Sequence, residues 1–508
     1  MPNDELLDQS ADALSRLIHA RALSCRELMQ ATLDRIGRVN PVHNAIVSLR
    51  DPDVLLREAQ AKDDALARAP DQCGWLHGIP QAIKDIAPTA GLRTTMGSPL
   101  LADNVPQADG LMVERMKAAG CIVIGKTNTP EFGLGSHTFN AVFGVTRNAF
   151  DASRSAGGSS GGAAVALATR MLAVADGSDS MGSLRNPAAW NNVFGLRPSA
   201  GRVPFWPAQE VFLPSFGTEG PMARSALDLA RQLDIQAGPD VRLPHALQDK
   251  PQFAAQLQAG AAAHLRIGWL GDLEGHLATE PGVLDTCEAA LRRLADDGCH
   301  VEPARPGLSP AAVWQGWLHT RYWIVMARIA PHLAKPGARD QIKPEALWEH
   351  DEGRKLTAMD VVAASVARST FYRHMLALFE RFDVLALPAA QVWPFPAEWR
   401  WPQSIAGRPM DTYHRWMETT IYATFAGLPA ISVPAGFSDS GLPMGLPMRL
   451  PMGLQLIGAP RGDLALLQLA ARYEQLAADV LARRPTTPAR HETVQPARPV
   501  VPAQAGTQ

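Results

Sequence analysis

GGSSGGAAVALATRMLAVADGSDSMGSLRNP, residues 157–187, is the stretch whose reading decides the rest of the chain. It holds two glycine-flanked serine sites, Ser159 with Ser160 and, beyond a run of small residues, Ser183. Glycine gives the backbone access to positive φ and lets another group come close, so two such clusters imply two tight turns facing one ligand. A serine hydroxyl near neutral pH is a poor nucleophile unless a base takes its proton. Histidine, the usual partner, is missing from the stretch. The base has to come from another part of the chain.

Two short patterns offer competing chemistry. GSSGG at 158–162 fits the nucleophile elbow GxSxG, which would make Ser160 the attacking residue, but an elbow follows a strand and the preceding RNAFDASRSAG is polar and irregular. GCIVIGKT at 120–127 fits the phosphate-loop pattern, yet its variable positions are Cys, Ile, Val and Ile, which read as a buried strand and not as a loop around phosphate. A third candidate is Lys84, set inside the apolar segment HGIPQAIKDI. Burying an ammonium group is costly, so its pKa should fall. A drop of roughly three units from ~10.4, equivalent to about 4 kcal/mol, would leave it largely neutral near pH 7 and able to act as a base. The other reading, a lysine whose head reaches solvent, fits the local sequence equally well.

Bulk composition narrows the partners. The 508 residues carry 48 basic and 50 acidic side chains, a near balance that argues against an electrostatic grip on nucleic acid or an anionic membrane. The expected partner is a small molecule, with the chain acting as a monomer or homodimer. Cys25, Cys73, Cys121, Cys287 and Cys299 lie far apart without CxxC spacing, so neither a zinc site nor a disulfide framework is expected and a reducing cytoplasm fits. The amino terminus is acidic where a signal peptide would be basic, and no apolar run reaches the roughly 18 residues of a membrane span.

Along the chain, residues 1–66 read as a layer of two or three amphipathic helices within the main domain. From residue 67 to 482 short buried runs such as CIVIG, LRIGWL and FDVLALP alternate with helical patterns, the grammar of an α/β sheet. A turn-rich stretch separates residue 185 from a helix at Ser225–Gln236, and the last ordered unit runs from a helix near Tyr413–Phe425 through AISVPAGF and MGLQLIG to a closing helix at Asp463–Ala482. The tandem GLPM, GLPM, RLPM at 441–452 reads as an expanded hairpin loop or as a lid. Residues 483–508, rich in Pro, Ala, Thr and Gln, read as a disordered tail.

LHGIPQAIKDIAPTAGLRTTMGS, AAGCIVIGKTNTPEF, RSAGGSSGGAAVALA and DGSDSMGSLRNPAAWNNVFGLRPSAGRVP, in this order and spacing, resemble the amidase signature family. The resemblance is dense from about 75 to 225 and returns at DVLALP, AGLPAISVPAGF and MGLQLIG. It implies an α/β fold with a large, mixed, mainly parallel central sheet flanked by helices on both faces. In such a domain residues 75–235 would be the core and 240–430 the variable, substrate-side region.

The resemblance further implies an amidase that needs no metal or organic cofactor. Ser183 would be the nucleophile, Ser159 a bridging serine joined to Gly158 by a cis peptide, and Lys84 the terminal base. The main-chain N–H groups of Ser180, Met181 and Gly182, with that of Ser183 as a further donor, would form the oxyanion hole. Met181 stands where the family's common GTDTGGS has glycine; a negative φ would keep its N–H in place and let its side chain wall the acyl pocket. Asp179, Arg185 and Ser160 would orient the loop. Eight of the twelve tryptophans lie between 314 and 416. Trp314 and Trp317 are either core or an aromatic wall for an aryl or bulky apolar amide, carbamate or phenylurea. Two other functions stay open: the glutamine-hydrolysing subunit of a tRNA-dependent amidotransferase, and an amide-binding protein without turnover.

Overall fold

The computed structural model describes residues 3–213, 216–259, 264–438 and 450–486. Most of the GLPM tandem, with its hairpin-or-lid reading, and most of the tail lie outside these residues. Four helices open the chain, Asn3–Asp8, Ala11–His19, Cys25–His43 and Pro52–Arg68, where the apolar spacing predicts two or three. The extra break falls at Ser10, whose hydroxyl caps the second helix by accepting from Ala13 N. Ser24 and Glu27 form a capping box on the third, and Pro52 sits at the start of the fourth behind the Asp51 cap. Leu14, Leu28 and Leu55 from these helices belong to the same buried apolar cluster as the central strands.

The fold is a mixed α/β structure around an eight-stranded sheet. Its strands run in the order His300–Pro303, Arg266–Trp269, Val384–Pro388, Pro451–Gly458, Ala430–Phe437, Phe194–Arg197, Thr218–Ala223 and Val174–Asp179. The sheet is mixed, as expected, but its balance of directions differs from the mainly parallel one that the resemblance implies. Among the described residues of this sheet only Arg266–Trp269 makes parallel pairs, with its two neighbours, and every other pairing in it is antiparallel. The reason lies in the connections. A crossover helix, Val283–Asp296, links one of the parallel pairs, whereas Val174–Asp179, Phe194–Arg197 and Thr218–Ala223 are joined by turns and the short helix Arg185–Trp190.

A second, three-stranded sheet has Ile122–Thr127 between Ile46–Val47 and Pro80–Lys84. Its Pro80–Lys84 strand packs beside Val174–Asp179, tied by Gln81 Nε2 to Val174 O at 3.0 Å and by Lys84 N to Asp176 Oδ2 at 3.1 Å. Ile122–Thr127 is buried throughout, and Lys126 Nζ is spent on Ala87 O (2.7 Å) and Thr89 Oγ1 (2.8 Å), which ends the phosphate-loop reading. Between the sheets lies the wholly buried helix Gly161–Ala168. A side chain at Gly162 would collide with Asn128 N and Ala45 O, so glycine is what lets this helix touch the small sheet backbone to backbone.

No helix among the described residues is long and apolar enough to cross a membrane.

Candidate active site

Three backbone elements converge on Lys84. Its strand delivers the side chain across Val174–Asp179, and Nζ donates to Ser159 Oγ at 2.7 Å, Ser160 Oγ at 2.8 Å and Ser178 Oγ at 3.0 Å. Only 1 % of the residue is exposed, so the solvent-reaching alternative is excluded. Burial pulls its pKa down to about 7, with Asp176, Asp179 and Glu219 resisting the fall and Arg328 adding to it. A lysine at that value exchanges its proton readily near neutral pH.

The two serine turns meet face to face. The Gly158–Ser159 peptide is cis. Ser136 Oγ donates to Gly158 O at 2.6 Å and Thr138 Oγ1 to Gly157 O at 2.8 Å, which fixes two successive carbonyls of that turn. Ser160 N then donates to Ser183 O at 3.1 Å, joining the first turn to the second. Ser183 Oγ has no hydrogen-bond partner among the described residues, and Ser183 is the most open of the three serines, 7 % exposed against 2 % for Ser159 and 0 % for Ser160. Ser160 is closed off and held between Lys84 Nζ and Ser178 O, and no strand leads into its turn, so the elbow reading has no structural support.

The turn from Asp179 to Arg185 is built on one carboxylate. Asp179 accepts from Gly182 N (2.9 Å), Leu184 N (3.2 Å), Arg185 Nε (3.0 Å) and Arg185 Nη2 (2.9 Å), with Arg197 beside it at 3.3 Å. Burial pushes this carboxyl up, but the two guanidinium groups outweigh it and hold the group well below the usual carboxylate range. Arg185 continues outward to Thr420 O, Thr424 Oγ1 and Gln455 Oε1.

The turn revises one part of the expected oxyanion hole. Its left-handed residue is Gly182, at φ +79°, while Met181 keeps negative φ and is unstrained. That conformation aims the Gly182 N–H at Asp179, so it is not free to receive an oxyanion. No acceptor among the described residues takes the N–H of Met181 or Ser183. A side chain at Gly182 would come within 2.5 Å of Thr420 Cγ2, a second reason for glycine there. Met181 is 3 % exposed and joins the main apolar cluster.

Among the described residues, Trp314 and Trp317 reach the serines through no hydrogen bond or ring contact. They stack on each other at 5.1 Å and meet His414 edge to face at 5.6 and 5.2 Å, both buried. Trp317 also stacks on Phe216 at 6.4 Å, and Arg415 lies 4.2 Å over Trp314.

Three groups at the base of the site escape a motif reading. Ser178 touches Lys84 directly. Asp176, buried and pushed up to about 6 by desolvation, accepts the main-chain N–H of Lys84. Glu219 is paired across the strands with Ser178 and is pushed up to about 8, chiefly by burial and then by Asp176. The signal for two of them is the period of two in VADGSD, which puts Asp176 and Ser178 on one face of a strand next to the nucleophile turn.

A lysine–serine constellation on this sheet defines a class, and comparison with known proteins fixes it. The family model for amidases matches residues 27–467, and the chain belongs to the amidase signature family. It is a hydrolase acting on carbon–nitrogen bonds. An acylamidase of Rhodococcus erythropolis is 32 % identical over 92 % of this chain and 94 % of its own length. A glutamyl-tRNA(Gln) amidotransferase subunit of Symbiobacterium thermophilum is 33 % identical over 92 % and 96 %. Among solved structures, a bacterial aryl acylamidase of the amidase signature family superposes with a TM-score of 0.85 at 29 % identity, covering 94 % of this chain and 99 % of that one.

Proposed function

We propose that the protein is an amidase for aryl or other bulky apolar amides, working through a seryl acyl-enzyme with Ser183 as nucleophile, Ser159 as proton carrier and Lys84 as base. The observation that carries this reading is the bond of 2.7 Å from a wholly buried, easily deprotonated Lys84 to Ser159, in a turn bonded to the one that bears Ser183. Neutral Lys84 takes a proton from Ser159, which takes one from Ser183 as its oxygen attacks the carbonyl. In reverse the same path protonates the leaving nitrogen, the step on which expulsion of an amine depends. The N–H groups of Met181 and Ser183, with Ser180 nearby, face the developing oxyanion, and each such donor is worth about 3 kcal/mol in the transition state. Gly182 serves by anchoring the turn to Asp179. Ser160 and Ser178 hold the ammonium head, and Met181 bounds the acyl side.

Covalent labelling tests the assignment. A fluorophosphonate should leave its adduct on Ser183; an adduct on Ser160 would favour the elbow, and a folded protein that takes no label would be an amide-binding protein without turnover. The similarity to an amidotransferase subunit favours glutamine hydrolysis as a second reading. Substantial turnover of simple anilides by the purified chain alone would count against it.

Trp314 and Trp317 are the proposed aromatic wall. Shortening either to Leu should raise KM for anilides about tenfold more than for small aliphatic amides, the effect of losing one aromatic contact. Equal changes for both substrates, or a change in stability alone, would return the pair to the core.

A further inference from the structure

The long helix Pro310–Leu333 carries Arg328 onto the loop that runs past Ser159. Arg328 Nη2 donates to Phe132 O at 3.0 Å. The next residue, Gly133, lies against the bridging serine: a methyl group built on it would stand 3.7 Å from Ser159 Oγ and 3.6 Å from Ile86 Cδ1. Phe132 has φ +52°, a left-handed conformation that a bulky residue adopts only when its surroundings impose it. The loop is therefore held in one shape beside Ser159, with Arg328 as one of its clamps.

Arg328 has capacity left over. A guanidinium offers five N–H donors, and the bond to Phe132 uses one. The residue as a whole is exposed, while protein atoms crowd its head group enough for desolvation to lower its pKa. It has no carboxylate partner among the described residues. The acid acting on it is Glu349, which is already held by Arg321 and Tyr413. Its place beside the site comes from the Phe132–Gly133 backbone, one residue of which it holds and the next of which lies against Ser159. Beside it Val325 and Ile329 pack with Phe132 and Leu134 in a separate apolar cluster.

When Ser159 returns the proton to the leaving nitrogen, whatever lies beyond Ser159 borders the amine half of the substrate. We propose that Arg328 is a specificity residue that binds a carboxylate carried on that amine half, and that the preferred substrates are acylated aminobenzoates or amides of similar shape. The carboxylate takes the unused guanidinium donors. This assignment rests on the amidase reading.

The test compares 4-acetamidobenzoate with 4-methylacetanilide in the wild type, Arg328→Gln and Arg328→Lys. The electronic effect of the ring substituent is the same in every variant and cancels in the ratio of the two kcat/KM values. Arg328→Gln should reduce the preference for the carboxylate substrate by about 10- to 30-fold, mainly through KM, as loss of a charge-assisted contact implies. Arg328→Lys should keep much of it. An unchanged ratio in Arg328→Gln, with both substrates turned over by the wild type, would overturn the role of Arg328 and leave the amidase reading standing. Turnover of neither substrate by the wild type would overturn that reading and this inference with it.

Discussion

Replacing Lys84 by Ala should lower kcat by about 10²- to 10⁴-fold, the usual worth of a positioned general base, while leaving KM for a neutral anilide within a few-fold of the wild type. The side chain is the hub of the site, donating to Ser159, Ser160 and Ser178. Without it Ser159 has no acceptor for its proton. The cavity left behind is lined by hydroxyls, and small primary amines at high concentration should restore part of the activity in the Ala variant. Rescue separates a missing base from a collapsed turn, because a collapsed turn would not respond to added amine.

The same lysine sets the acid limb of the pH profile. Its pKa is brought to about 7 by burial, against the pull of Asp176, Asp179 and Glu219 and with the help of Arg328. The base must be neutral to act, so activity should rise with pH through that value and be roughly tenfold lower at pH 6 than on the plateau. The linkage to folding has the same direction. Between about 7 and the ordinary 10.5 the unfolded chain holds a proton that the folded one has lost, so this lysine makes folding more favourable as pH rises through that window. A flat rate from pH 6 to 9 would rule out the relay.

What the sequence makes legible and what it hides follow one physical division. Turn chemistry is readable, because the glycines around Ser159 and Ser183 demand turns, whereas HGIPQAIKDI fits a buried and a solvent-reaching Lys84 equally well and only packing decides for burial. Strand direction is not readable. Helix and strand alternation looks the same whether a chain crosses over or doubles back, so the antiparallel pairing of Phe194–Arg197 with Thr218–Ala223 is invisible to it. Glu219 is equally hidden, because only sheet register between strands well separated in the chain brings it opposite Ser178. The oxyanion donors depend on a single dihedral angle: φ +79° at Gly182 turns one expected N–H toward Asp179. Arg328 lies far beyond Ser183 in the chain and apart from every motif, and only the packing of a helix on the Phe132 loop brings it to the site.

Breaking the buried pair of Asp179 and Arg185 should cost about 3–5 kcal/mol of stability, because removing one partner leaves the other charge without compensation in a dry interior. Both side chains are 0 % exposed. Arg185→Ala would strand Asp179 with Arg197 alone, and it would also release Thr420 O, Thr424 Oγ1 and Gln455 from their shared donor. Asp179→Asn should be as damaging by the opposite route, since Arg185 and Arg197 would then face each other across a neutral amide. The two losses should not add, because each variant dismantles the same network. Asp179→Asn carries a further expectation that a purely structural pair would not: Asp179 accepts the Gly182 and Leu184 N–H groups that flank Ser183, so the folded fraction should react more slowly with a fluorophosphonate. Denaturant titration measures the first effect and labelling rate per folded molecule the second. A stability loss under about 1 kcal/mol would mean that water enters and screens the pair, as it does for surface ion pairs, and an unchanged labelling rate would mean that the nucleophile turn keeps its shape without Asp179.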